Sequence, residues 1–244
     1  MTQIVEGVHR LGTELVNFYL VEDDGRCTLV DAALPGYHGG LVDSLQALGK
    51  GVDAIDAVVL THAHVDHVGL AERVRTEAGA TVHVHADDAE MARTGKIPKR
   101  DASFLPYLVR PAALKLVAHM VGNGGARPTK VTEVSTFADG DVLDVPGRPR
   151  VIATPGHTDG HCVLLFEQHG VLFIGDALCS RNPLTGREGP QVMPSAFNAS
   201  TRQALDSLDR LTGVAASHLL FGHGDPWTDG AAAAVERARE LGPS

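Results

Sequence analysis

Within six residues, His62, His64, Asp66 and His67 gather three imidazoles and a carboxylate, in the stretch T-H-A-H-V-D-H-V-G from Thr61 to Gly69. Nitrogen and oxygen donors of this kind are what zinc takes up. The preceding Asp56 to Leu60, D-A-V-V-L, reads as a buried strand, and the residues from Val68 onwards read as a helix running to about Glu77. The cluster therefore falls where a strand ends. Alternate residues of an extended segment share a face, so His62, His64 and Asp66 point one way, and His67 joins them from the turn into the helix. Three adjacent imidazoles in a core without an ion would be costly buried polar groups, so the stretch reads as a metal site.

Other strand ends carry the same residue types beside glycine, which lets a backbone turn sharply and approach closely. Val151 to Ala153 reads as a strand leading into T-P-G-H-T-D-G-H, residues 154 to 161, with His157 inside it. Cys162 to Phe166 and Val171 to Ile174 read as a hairpin whose second strand ends in Gly175-Asp176, and His218 to Phe221 ends in Gly222-His223. Cys27 to Val30 ends in Asp31 before a Pro35-Gly36 turn; from composition alone, Asp31 is equally a turn former or a functional group.

The elements between them complete an α/β alternation in which every candidate ligand lies just past a strand. Ile4 to Leu20 predicts a hairpin broken at Gly12-Thr13, Gly40 to Leu48 a helix, Ala80 to His85 and Val142 to Val145 strands, and Thr201 to Leu211 and Gly230 to Leu241 helices. Arg181 to Ser200 reads as a loop. His83 and His85 form a second H-x-H pair without the first motif's carboxylate, and they read as part of a half-exposed strand. From about 90 to 130 the rhythm breaks into an apolar segment interrupted by proline and glycine, which fits a lid, a substrate wall, a subunit contact or a plain helical hairpin. His119 lies in it without a visible partner and reads as structural.

With 244 residues, 43% hydrophobic and 21% charged, the composition is that of a globular enzyme, and a net charge of −9 argues against a nucleic-acid partner. Cys27, Cys162 and Cys179 are too few and too odd in number for a disulfide framework, and the first residues lack a basic stretch followed by an apolar core. A cytoplasmic protein is expected. Phe104 to Val121 is apolar, but Pro106, Arg110, Pro111 and Lys115 interrupt it, so no membrane partner is expected and a homodimer contact through 104–121 is the other use for it.

Taken together, H-x-H-x-D-H, P-G-H-T-x-G-H at 155–161, G-D at 175–176 and G-H at 222–223 resemble the metallo-β-lactamase superfamily, in the same order and over nearly the entire chain. The resemblance implies one domain over 1–244, an α/β fold built as a four-layered αββα sandwich, with residues 90–130 as a helical insertion. It implies two divalent metal ions, zinc first, with iron or manganese as other fits. One ion would take His62, His64 and His157, the other Asp66, His67 and His223, with Asp176 bridging. Asp31, Thr158 and His161 would support these ligands from behind. Two such ions about 3.5 to 4 Å apart lower the pKa of a shared water from 15.7 toward roughly 7. The implied reaction is hydrolysis of an ester, thioester, lactone or amide of a small molecule by a metal-bridging hydroxide, with Asp66 orienting the nucleophile and passing a proton to the leaving group.

Several branches of that superfamily match less well. Asp176 stands where secreted β-lactamases place a cysteine, and Cys179, three residues on, reads as a packed thiol. The basic thiol-recognising residues of glyoxalase-type thioester hydrolases have no match, nor has the lactonases' tyrosine among Tyr19, Tyr37 and Tyr107. The G-R-x-D-F of persulfide dioxygenases is replaced by A-L-C-S-R-N-P-L-T-G-R-E-G-P after Asp176. A mononuclear iron dioxygenase acting on a thiol or persulfide through His62, His64, His157 and Asp176 remains the alternative, since this donor set suits several metals. A non-catalytic, metal-bound interaction protein is a third. Pocket walls are expected from Asn17, Met91 to Val121 and Ser180 to Ser200, while Arg181 and Arg187 read as solvated charges.

Overall fold

Along Phe18 to Val21 the side chains alternate between two cores: Phe18 and Leu20 pack on one side with Leu41, Leu45 and Val74, and Tyr19 and Val21 on the other with Phe166 and Phe173. A strand covered on both faces reads as a continuous apolar run, which is how most strands of this chain appear. The computed structural model describes residues 1–97 and 99–244.

Seven strands form the first sheet in chain order: β1 (Thr2–Val5), β2 (Val8–Gly12), β3 (Asn17–Asp23), β4 (Arg26–Val30), β5 (Ile55–Val59), β6 (Thr81–His85) and β7 (Ser135–Phe137). Pairing is antiparallel from β1 to β4 and parallel from β4 to β7. Helices α1 (His38–Ala47), α2 (Val65–Val68) and α3 (Ala71–Ala78) arise between these strands, and α1 and α3 cover the outer face through Leu41, Leu45 and Val74. The second sheet contains β8 (Arg150–Ala153), β9 (Cys162–Phe166) and β10 (Val171–Gly175). A separate hairpin of β11 (Cys179–Arg181) and β12 (Glu188–Gln191) precedes β13 (His218–Phe221), which returns to pair parallel with β10, so the second sheet runs β13-β10-β9-β8.

The sheets face each other through Val30, Val59, Leu164, Phe166, Phe173 and Leu220. The outer face of the second, with Leu165, Ile174 and Leu219, is covered by Ala204 of a helix over Thr201–Ser207 and by Ala234 and Val235 of another over Ala231–Leu241. The result is an αββα sandwich in four layers.

Residues 89–122 supply a helix over Ala89–Thr94, a 3-10 segment over Leu105–Val109 and a long helix over Pro111–Gly122, with proline at its first turn where no amide donor is needed. Numbered in chain order, these are α4 (Ala89–Thr94) and α5 (Pro111–Gly122), and the two on the second sheet are α6 (Thr201–Ser207) and α7 (Ala231–Leu241). Ala113 and Leu116 of α5 pack on Leu184 and Ala196.

Some local expectations change. Val142 to Val145 forms no strand; Val142 makes one isolated bridge to Arg150, while Leu143 and Val145 sink into the core between the sheets, so their apolar pattern reports burial rather than extension. β7 arises where no element is predicted, and the β11–β12 hairpin falls largely in the Arg181–Ser200 stretch that reads as a loop; α2 (Val65–Val68) precedes the expected helix, so Asp66 sits on a helical turn rather than in an extended segment, and α3 follows after Gly69-Leu70. A Cβ on Gly69 would meet Leu34 Cα at 2.5 Å, so glycine there lets the metal-motif helix lie against the loop after β4.

One acid-sensitive tie lies in the first sheet's helical cover. Glu72 on α3 accepts from Arg75 at 2.9 Å and from the backbone and hydroxyl of Thr132 at 3.0 and 2.8 Å. The Arg75 bond first, then those from Thr132, outweigh burial and hold the Glu72 carboxyl down at about 2, against an ordinary value of 4.5. A depressed carboxyl pKa stabilises the fold above its unfolded value, and that contribution is lost as the pH falls through the folded one. Thermal melts from pH 5 to about pH 2 should therefore fall less steeply for Glu72→Gln than for the wild type.

Candidate metal centre

Four strand ends deliver the donors to one edge of the two sheets. β5 leads through Leu60 to His62 and His64, α2 carries Asp66 and His67, the loop after β8 carries His157, β10 ends at Gly175 before Asp176, and β13 ends before Gly222-His223. Three groups of donor atoms converge, each lying within 4.8 Å of one another: His62 with His64 and His157, Asp66 with His67 and His223, and His62 with His67 and Asp176. Asp176 sits among all of them. Its Oδ2 lies 3.2 Å from His223 Nε2, 3.4 Å from His157 Nε2 and 4.0 Å from His62 Nε2, and its Oδ1 lies 3.6 Å from His67 Nε2.

The imidazoles are fixed from behind. Asp31 accepts from the Thr61 backbone N–H at 2.8 Å and from His67 Nδ1–H at 2.8 Å, leaving His67 Nε2 to face the centre. Asp31 holds this post with a φ of 57°, a left-handed conformation that aspartate tolerates better than most residues. His223 Nδ1–H donates to the Leu15 carbonyl. His161 accepts from the Asp176 backbone N–H at 3.0 Å and turns its Nδ1 to Thr154 Oγ1 at 2.9 Å, so it steers the backbone of Asp176. Burial pushes His161 down to about 3 and keeps it the neutral acceptor this bond requires.

Two supporting residues went unforeseen. Asn198 Oδ1 accepts from His157 Nδ1–H at 2.9 Å and aims His157 Nε2 inward, where His64 Nδ1 comes within 2.8 Å of it. Asp88, buried just after β6, accepts from the Ala63 N–H at 3.0 Å, the Thr158 hydroxyl at 2.7 Å and the Gly160 N–H at 2.9 Å. It ties the loop of His62 and His64 to the loop of His157, and Thr158 acts through it. A Cβ on Gly160 would meet the Asp88 backbone nitrogen at 2.6 Å, which explains the glycine. In sequence both residues are ordinary; only the packing of distant loops assigns them.

The electrostatics and the unmet valences suit cations. His62 Nε2, His67 Nε2 and Asp176 Oδ1 are buried polar atoms without a hydrogen-bond partner, which is unfavourable unless something binds them. Burial and neighbouring histidines hold His62 and His64 well below the ordinary imidazole range, the state in which a nitrogen lone pair is free to coordinate. Burial opposes a proton on His67, yet Asp31 and Asp176 push it up to about 10. Asp176 goes the other way: although burial opposes its charge, His223 and His67 keep it ionised. Neutral His62, His64 and His157, an ionised Asp176 beside them, two imidazoles, His67 and His223, whose surroundings favour positive charge, and three unpartnered ligand atoms fit a pair of divalent ions.

A cavity of about 210 Å³ opens onto this edge. His64, Asp66, His157, Asp176 and His223 form its floor, and Phe104, Leu116, Val117, Met120, Met193 and Phe197 are among its apolar walls. The walls come from 97–126 and from 183–197, but not from Asn17. Fully buried, Asn17 donates to the Phe221 and Gly224 carbonyls at 3.1 and 2.6 Å and latches the turn that carries His223. Arg181 pairs with Glu188 at 3.0 Å and Arg187 bonds Gln191 at 2.9 Å; the cation on the cavity wall is Arg100, 5.8 Å from the Phe197 ring centre. Cys179 is buried with its thiol pushed well up by burial, and His83 and His85 stay outside the centre. His119 does have a partner, Tyr37 Oη at 2.6 Å.

A fold of this kind, with histidines and aspartates at the strand ends of two facing sheets, defines a class of metal-dependent enzymes. The description "Metallo-beta-lactamase superfamily" matches residues 11–223, and the chain belongs to that superfamily as a metallo-hydrolase. It is similar to the probable metallo-hydrolase YflN of Bacillus subtilis, 27% identical over 93% of this chain and 87% of that one. A hydroxyacylglutathione hydrolase of Acidiphilium cryptum is 29% identical over 82% of this chain and 63% of its own length. Among solved structures, a metallo-beta-lactamase family protein from Thermus thermophilus superposes with a TM-score of 0.69 at 31% identity, covering 98% of this chain and 79% of that one.

Proposed function

We propose that this chain is a binuclear metal-dependent hydrolase, zinc-loaded, that cleaves an ester, thioester, lactone or amide of a small molecule bearing an apolar acyl group. The observation that supports this reading is the position of Asp176, whose carboxylate lies between a His62/His64/His157 set and an Asp66/His67/His223 set. When bound, two divalent ions supply Lewis acidity for an acyl oxygen and lower the pKa of water. His62, His64 and His157 would hold one, Asp66, His67 and His223 the other, and Asp176 both.

The chain's own residues do the rest. Asp66 lines the cavity 3.6 Å from His223, where its carboxylate can orient a nucleophile and carry a proton to the leaving group. Asp31, Asn198 and His161 keep His67, His157 and Asp176 from turning away, so little reorganisation is needed as charge develops. Phe104, Leu116, Met193 and Phe197 would bind the acyl group and exclude water. We take residues 1–244 as one domain with 90–130 as its lid, and we take the free Cys27, Cys162 and Cys179 as those of a cytoplasmic protein.

The test is metal content together with turnover. Protein prepared with zinc should carry two equivalents per chain by elemental analysis and hydrolyse at least one member of a panel of aryl esters, lactones, acyl-thiols and β-lactams. A single iron per chain with oxygen uptake on a persulfide, or a metal-replete protein inert to the whole panel, would overturn the reading.

A further inference from the structure

The charge of the chain is unevenly spread. Residues 91–130 carry eight lysines and arginines against one carboxylate, Asp101, in a chain whose net charge is −9. All eight are exposed. Among the described residues, every lysine and arginine outside this segment except Arg187 has a carboxylate oxygen within 4.0 Å. Inside it only Lys115 has one, Glu14 at 2.6 Å. The unpaired cations therefore collect in one exposed segment of the chain.

The exposed large hydrophobics collect there too. Leu105 is 71% and Val109 85% exposed, and Leu108, Leu114, Val117 and Val121 join them; outside the segment the only others among the described residues are Met1 and Val142. Leu114, Val117 and Val121 are spaced to form one stripe along α5, and Arg110 and Lys115 flank it. Ile97, Val117 and Val121 are at once exposed and on the cavity wall, so the patch runs into the mouth of the metal pocket.

We infer that the 91–130 face docks on an anionic lipid surface, with its exposed leucines and valines in the headgroup boundary, its lysines and arginines against lipid phosphates, and the pocket mouth turned toward the bilayer. An apolar stripe rimmed by cations is what binds a protein to an interface without spanning it, and among the described residues no helix is long and apolar enough to cross. The net negative charge does not oppose this, because charges more than about 8–10 Å away are screened at physiological salt. A symmetric pair of copies joined through the same face would instead bring these cations against one another, so the charge favours lipid over a second copy. The inference is independent of what the metal centre cleaves.

Sedimentation of the zinc-loaded full chain with vesicles tests it. Vesicles of phosphatidylcholine mixed with phosphatidylglycerol should carry down severalfold more protein at physiological salt than pure phosphatidylcholine, and high salt should release it. Leu105→Asp with Val109→Asp, and separately Lys96→Glu with Lys99→Glu, should each lower the bound fraction severalfold; none of these four residues is a metal donor or lines the cavity, so zinc content should stay at wild-type level. The inference fails if the wild type stays in the supernatant with both vesicle types, or if the charge-reversed variant binds as well as the wild type. It also fails if the protein is a dimer that Leu105→Asp with Val109→Asp dissociates while no vesicle binds, which would assign the face to a second copy.

Discussion

If the centre is binuclear as proposed, Asp176→Asn should lose metal from two equivalents to one or none and reduce kcat/KM by roughly a thousandfold or more, the scale expected when a group that stabilises developing charge is removed along with a metal. The amide has the same size, so the cavity and the second sheet should survive. What changes is the charge at the point where the donors meet. One oxygen of Asp176 lies 3.2 Å from His223 and 3.4 Å from His157, and the other 3.6 Å from His67. A neutral amide can offer one oxygen to one side and must turn an N–H donor toward the other. The backbone of Asp176 stays anchored by His161 at 3.0 Å, so the side chain alone is at issue. Elemental analysis, kcat/KM on the best ester of the panel and a thermal melt decide the matter. Full zinc content with kcat/KM within about threefold of wild type would remove this carboxylate from the centre, while a collapsed melting temperature would call for Asp176→Glu as the folding control.

The donors were legible in the sequence to the degree that their signal was local. His62, His64, Asp66 and His67 lie within six residues, so nearness in sequence places them together, although Asp66 and His67 reach the centre from α2 rather than by strand alternation. His157, Asp176 and His223 are far apart in sequence and were readable only because each follows a strand and sits beside glycine. Asp31 stood open between turn former and functional group, because the same residue type suits both; its bonds to Thr61 and His67 distinguish them. Asp88 and Asn198 were not legible, since an acceptor's role depends on which loop packs over it, and Ala63 and Thr158 reach Asp88 from opposite directions along the chain. Asn17 was misread for the same reason: it lies near the centre but faces carbonyls rather than the cavity. Periodicity found the strands covered on both faces and missed β7, β11 and β12, which are short and polar or interrupted by glycine and proline.

Asp88→Ala should weaken both the fold and the metal site without touching a metal-binding side chain. The substitution leaves the Ala63 N–H, the Gly160 N–H and the Thr158 hydroxyl without their acceptor in a site that is 1% exposed. Each buried donor left unpaired costs about 1–3 kcal/mol. Burial works against the charge of Asp88 and holds its carboxyl above the ordinary carboxylate range, so removing it also relieves a desolvation penalty, and the net loss falls at the lower end, roughly 3 kcal/mol. For a chain of this size about 1 kcal/mol shifts the melting temperature by 2–4 °C, so a drop of about 6–12 °C is expected. Because Asp88 couples the loop of His62 and His64 to that of His157, zinc affinity measured by chelator competition should fall about 10–100-fold, as when outer partners of a metal site are removed. Asp88→Asn separates the two effects. Its single carbonyl can still accept from Ala63 and Thr158, as Asp88 Oδ2 does, while its amide opposes the Gly160 N–H, so both losses should be intermediate. Zinc affinity unchanged in Asp88→Ala despite a lowered melting temperature would make Asp88 a fold residue alone, and would detach the alignment of the two histidine loops from the strength of the metal site.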